Sequence, residues 1–178
     1  VFDNLENVED PTGEGPNANA VLSLDLDRNP ADQALEHLQA SAGETIQLAI
    51  YASDVIDVTG VSVDVIYDPV QLAFEGASRD SDGDPNILPS TAIFLAPREG
   101  DGTVKYTGTE LGDGAATGEL RSGLLAVLEF TPLDLRRADL VLERVVLNSA
   151  GGTDILEPGL VARVVPVATG IADFNGDG

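Results

Sequence analysis

Asp173-Phe174-Asn175-Gly176-Asp177-Gly178 puts a side-chain oxygen at every second residue and a glycine at the sixth position. This is the first half of an EF-hand-type loop. Calcium takes about six to eight oxygens, and alternate residues of a tight turn aim three of them at one point. The expected chemistry is calcium binding by Asp173, Asn175 and Asp177, with the bidentate acid of the loop's twelfth position falling beyond Gly178. Two weaker acidic clusters follow the same logic. Asp80, Asp82 and Asp84 alternate with Ser81 and Gly83 ahead of Pro85 and Asn86, and Asp25 and Asp27 share one strand face with Asp32 nearby. Each has an ordinary reading beside the metal one, since Asp, Gly and Asn dominate plain turns. Two carboxylates on one face repel unless a cation or solvent separates them.

Other chemistry has little to work with. The chain has no cysteine, so disulfides, thiolate nucleophiles and thiolate-bound zinc are excluded together. His37 is the only histidine, which leaves hydrolase triads and zinc sites without parts. Carbohydrate platforms use exposed aromatics, but there is no tryptophan, and Tyr51, Tyr67 and Tyr106 all sit inside strand-like patterns. No catalytic residue and no organic cofactor is expected. A carbohydrate-binding module is the weakest of the alternatives.

Charge narrows the partners. Thirty-one Asp and Glu face nine Lys and Arg, a formal net charge of −22. Such a surface repels phosphate backbones, and no basic stripe offsets it, so nucleic acid is excluded. No apolar run reaches the ~18 residues of a membrane helix.

These loops need elements to hold them. The 178 residues fit one domain with short appendages. Residues 1–20 are polar, rich in Gly, Pro and Asn, and are expected to be an extended arm or linker. Leu22, Leu24 and Leu26 then alternate with Ser23, Asp25 and Asp27, the period of a strand with one wet face. Asn29 as N-cap, Pro30 at the first helical position, Leu35 and Leu38 three apart and Gly43 as stop predict a short helix over 30–42. Beyond Gly43 the chain reads as strand after strand: TIQLAIYAS, VTGVSVDVIY, VQLAFEG, STAIFLA, GTVKYTG, GLLAVLEFT, DLVLERVVL and GLVARVVPV, parted by Gly, Pro, Asp and Asn. Short, evenly spaced strands without long helices predict an all-β, antiparallel two-sheet β-sandwich of about nine strands. Continuous apolar runs such as GLLAVL mark central strands. The stretch 169–178 is polar again and reads as a linker leading into the calcium loop.

The segment GETIQLAIYASDVIDVTGVSVDVIYDPVQLAFEGAS, residues 43–78, resembles the cohesin and cohesin-like domains. It has their glycine-led strand start, a second strand ending in Tyr67-Asp68-Pro69, and Leu72 after it. SGLLAVLEFTPL, residues 122–133, is similar to that family's glycine-and-phenylalanine strand, and GIADFNGDG is similar to the opening of a dockerin-type calcium repeat. The resemblance covers residues 21–168. It implies a jelly-roll sandwich, extracellular or cell-surface location, and protein–protein recognition without catalysis, and it assigns no binding residue. Two partners are expected: a dockerin-like module, or other copies of the chain in an extracellular filament or surface layer. In the filament, a terminal arm would add to a neighbour's sheet or share a calcium site.

Overall fold

The computed structural model describes residues 15–26, 35–80, 84–111 and 117–167. Among them are twelve strands: β1 (Val21–Asp25), β2 (His37–Ala40), β3 (Ile46–Ile56), β4 (Val58–Ile66), β5 (Leu72–Ser78), β6 (Ile93–Phe94), β7 (Arg98–Gly100), β8 (Thr103–Thr109), β9 (Leu120–Pro132), β10 (Ala138–Ser149), β11 (Gly152–Leu156) and β12 (Leu160–Pro166). They form two sheets. The smaller has the order β1-β3-β9-β5; the larger has the order β2-β12-β10-β4-β8-β6, with β11 also on β10 and β7 also on β8. No helix of the described residues is long and apolar enough to cross a membrane.

Alternation fixes what each sheet buries. Val61, Val63 and Val65 of β4, Val104 and Tyr106 of β8, and Leu140, Leu142, Val145 and Leu147 of β10 point inward from the large sheet. They meet Leu24 of β1, Leu48 and Ile50 of β3, and Leu125, Leu128 and Phe130 of β9 in one continuous core. Phe130 anchors it, with Tyr67 and Phe74 edge-on at 5.2 and 5.6 Å between ring centroids, the geometry that ring quadrupoles favour. Burial and the adjacent Glu99 carboxylate, which accepts the Tyr67 hydroxyl, push the Tyr67 phenol up to about 12.

Every one of the nine expected strands is present, and β2, β7 and β11 are additional. β2 replaces part of the expected helix. His37–Ala40 pairs in parallel with Arg163–Pro166 of β12, Ala40 is fully buried, and His37 is exposed on the strand rather than on a helix. The three-residue spacing of Leu35 and Leu38 suited a helix. Here, however, the chain gains more by closing the large sheet's edge with period-2 burial, so tertiary pairing overrides local propensity. Residues 30–34 of that segment lie outside the described residues.

The sandwich's contacts begin before Val21. Asn17 is fully buried, and its side-chain amide imitates a strand residue. Nδ2 donates to the Ile56 carbonyl at 3.0 Å and Oδ1 accepts the Ile56 N–H at 2.6 Å. Its backbone N–H donates to Asp154 of β11 at 2.8 Å, so this turn ties the small sheet to the large one. Another tie is Asp57, at a left-handed φ of 48° between β3 and β4. Its carboxylate accepts the N–H groups of Thr117 at 2.7 Å and Gly118 at 3.0 Å, which hold its pKa below the ordinary carboxylate value.

Candidate functional site

The two sheets differ in their outer faces. On the small sheet, Ala49 and Tyr51 of β3 and Leu124 and Val127 of β9 point away from the core yet are buried as a second apolar cluster. A bulge sets the phase: Ile50 pairs with Ala126 and Tyr51 with Leu124, so Leu125 is the extra residue and both faces of β9 stay apolar.

The segment after β5 pairs with β9 at the side of this sheet and sends one side chain to this face. Asp84 accepts the Tyr51 hydroxyl at 2.6 Å. Ile87 N–H donates to the Leu124 carbonyl at 2.8 Å, and Asn86 forms a parallel bridge to Leu124. Asn86 Nδ2 donates to the carbonyls of Arg79 and Leu125, at 2.6 and 3.1 Å. Arg79 organises the following turn by donating to the carbonyls of Leu88, Pro89, Ser90 and Ala92, while its guanidinium lies 5.3 Å from the centre of the Phe94 ring. A planar donor fork suits such a cage of carbonyls.

The acidic clusters of the sequence fall here in part. Asp25 lies between the inward Leu24 and Leu26, opposite Ala49, and is therefore on the outer face of the small sheet; it is only 1% exposed. Asp84 reaches the same face through Tyr51, so two clusters 59 residues apart in sequence contribute to one surface. Asp80 instead pairs with Arg79 Nε at 3.1 Å. Asp27, Asp82, Asp173, Asn175 and Asp177 lie outside the described residues. Among the described residues no group of three or more acids or histidines stands together as a metal site. Asp80 and Asp84 each already accept a donor of this chain.

The outer face of the large sheet is open, and the strand registers order it into rows. Arg144 of β10 lies opposite Asp64 of β4, Asp64 opposite Lys105 of β8, and Lys105 opposite Arg98 of β7. The Lys105 ammonium is 3.3 Å from Asp64. One step toward one end lies an apolar row, Val161–Val141–Ile66, and one step toward the other lies Ile155–Val146–Ser62–Thr107. Ser62 and Thr107 share a hydroxyl–hydroxyl hydrogen bond at 3.0 Å. Ile66 is 37% exposed and Ile155 59%. At the far edge Asp139 accepts Arg163 Nε at 2.9 Å and pairs with Arg137 at 3.3 Å. These contacts, the Arg163 hydrogen bond foremost, hold the Asp139 carboxyl below its ordinary range.

Two depressions lie on this face. One, about 530 Å³, is lined by Asp64, Ile66, Val141, Glu143, Arg144, Glu157 and Gly159. The other, about 180 Å³, is lined by Leu95, Ala96, Arg98, Lys105 and Thr107. Motif reading passed over this face because it holds no motif. A weak signal was nonetheless present: Arg98, Lys105, Arg144 and Arg163 are four of only nine basic residues, and each stands on a strand of the large sheet.

No family model matches the chain, and no curated protein sequence matches it. Solved structures do. A type II cohesin domain from the cellulosome of Acetivibrio cellulolyticus superposes with a TM-score of 0.59 at 15% identity, covering 82% of this chain and 94% of that one. A non-cellulosomal cohesin from the archaeon Archaeoglobus fulgidus gives 0.58 at 13% identity, covering 84% and 91%. The sixth cohesin of scaffoldin B from Acetivibrio cellulolyticus, crystallised in complex with a dockerin, gives 0.56 at 14% identity, covering 83% and 99%. The chain has the two-sheet fold of cohesin modules.

Proposed function

We propose that this chain is a non-catalytic, extracellular protein–protein interaction module that receives its partner on the outer face of the large sheet. The observation that carries the proposal is the contrast between faces: one is sealed by the chain itself, and the other offers apolar rows flanked by charge. Buried apolar anchors within a polar rim are the usual anatomy of an interface. The cohesin neighbours support the reading, one of them being crystallised with a dockerin.

The partner is then a module with duplicated Asp/Asn-rich calcium loops, of the kind that Asp173, Asn175 and Asp177 begin on this chain. Calcium association of this chain belongs to the same proposal.

The test is calorimetric titration with such modules from the same source, using wild type and Val141→Asp. A charge placed in the apolar row is expected to weaken binding by at least about tenfold while the melting temperature stays put. Unchanged binding in Val141→Asp and in Ile66→Asp would move the interface elsewhere. For calcium, melting with and without a chelator is the measure, because a ligand bound only to the folded chain raises its stability. Equal midpoints would remove calcium from the proposal.

A further inference from the structure

Arg98 and Lys105 form a like-charge pair. They are directly opposite in the antiparallel pairing of β7 with β8, which brings their Cβ atoms to about 5 Å and is unfavourable without an anion. Lys105 has Asp64 on its other side, at 3.3 Å. Arg98 is exposed and has no hydrogen bond or ion pair among the described residues. Arg121 and Arg144 also lack an ion pair among the described residues, but only Arg98 has another cation directly opposite it on a neighbouring strand.

The surroundings narrow what would neutralise it. Arg98 and Lys105 line the 180 Å³ depression together with Leu95, Ala96 and Thr107. Leu95 is 53% exposed and gives one apolar wall. Thr107 offers its hydroxyl, already shared with Ser62 at 3.0 Å. A volume this size is well below the ~300–1,000 Å³ of a small-molecule site and suits one side chain. An apolar wall, a guanidinium fork and an ammonium fit an aliphatic stem ending in a carboxylate.

We infer that this pocket is a carboxylate-binding site on the docking face and receives an Asp or Glu side chain of the partner protein. The inference rests on the docking-face reading, which it deepens by giving the partner an acidic anchor residue. An incoming carboxylate would bridge Arg98 and Lys105 and turn their repulsion into a charge-assisted pair.

The probe is N-acetylglutamate amide, with N-acetylglutamine amide as its uncharged twin and inorganic sulfate as the other oxyanion source. Amide shifts of the full chain are followed by NMR. The expected result is saturable shifts at Leu95, Lys105 and Thr107 with the glutamate probe at about 10 mM. The glutamine probe should bind at least about fivefold more weakly, and Arg98→Gln should lose the difference. Equal shifts with both twins, no saturable shift, or unchanged binding in Arg98→Gln overturns the inference. Sulfate binding more tightly than the glutamate probe also overturns it, in favour of a general oxyanion site. The two readings fail separately. If the probe does not bind but Val141→Asp still weakens the partner, the pocket falls and the face stands. If the probe binds but Val141→Asp and Ile66→Asp both leave the partner unaffected, the pocket stands as a carboxylate site, and the docking face falls together with the partner's acidic anchor.

Discussion

Two outer faces of one sandwich, built from strands of similar composition, have opposite fates. β3 and β9 of the small sheet read LAIYA and LLAVL, apolar at successive positions, and both of their faces are buried. β4 reads VSVDVI, with valine inward and Ser62, Asp64 and Ile66 outward, and its outer side is polar and opens to solvent at Ile66. A strand covered on both sides runs apolar without a break, whereas one with a wet side alternates. On the small sheet the Tyr51 hydroxyl is held by Asp84, and Asn86 pairs with the backbone of β9 around Leu124 at the side of the sheet. The lesson is that a sandwich of this kind can bury one outer face within its own chain while the other stays more exposed.

The contrast is broken most directly by truncation. Leu124 is 0% exposed although it points away from the main core. Leu124→Ala is expected to cost about 2–5 kcal/mol in urea unfolding, as for any large-to-small change at a buried site. Ile66→Ala on the open face should cost less than about 1 kcal/mol. Similar losses for the two would show that the faces are not energetically distinct. A finer cut is Tyr51→Phe, which keeps the ring and removes the hydroxyl that Asp84 accepts. A half-buried carboxylate left without its donor should cost about 1–3 kcal/mol. A neutral result would mean that the Tyr51–Asp84 bond adds nothing to the burial of this face.

The same comparison shows what the sequence could and could not tell. The sandwich was legible because strand periodicity is written residue by residue, and the unbroken LLAVL run rightly marked a central strand. β2 was misread because two leucines three apart fit a helix locally, and its pairing with β12 depends on residues more than 120 positions later. The open face was illegible for a related reason. The row Arg144–Asp64–Lys105–Arg98 joins four strands, and its order depends on registers and on the irregularity between Leu142 and Arg144. Acid spacing singles out Asp80, Asp82 and Asp84, where local pattern is strong. In the described part of that loop the carboxylates of Asp80 and Asp84 turn to Arg79 and Tyr51.

The open face should also carry its own, smaller pH signature. Asp139 lies there between Arg163, at 2.9 Å, and Arg137, at 3.3 Å, and its carboxyl is held below the usual range by those donors. A carboxyl whose folded pKa is depressed binds fewer protons than its unfolded counterpart, so the stability it gives is complete above the unfolded value, near ~3.9. That stability is lost as pH falls through the folded value. The difference in unfolding free energy between wild type and Asp139→Asn is therefore expected to be level from about pH 5 to 7 and to shrink below about pH 4. Because the pair is half-exposed, added salt should shrink it at every pH. A difference that persists undiminished in acid would mean that Asp139 acts through packing instead of charge, and the electrostatic ordering of the open face would lose its edge contact.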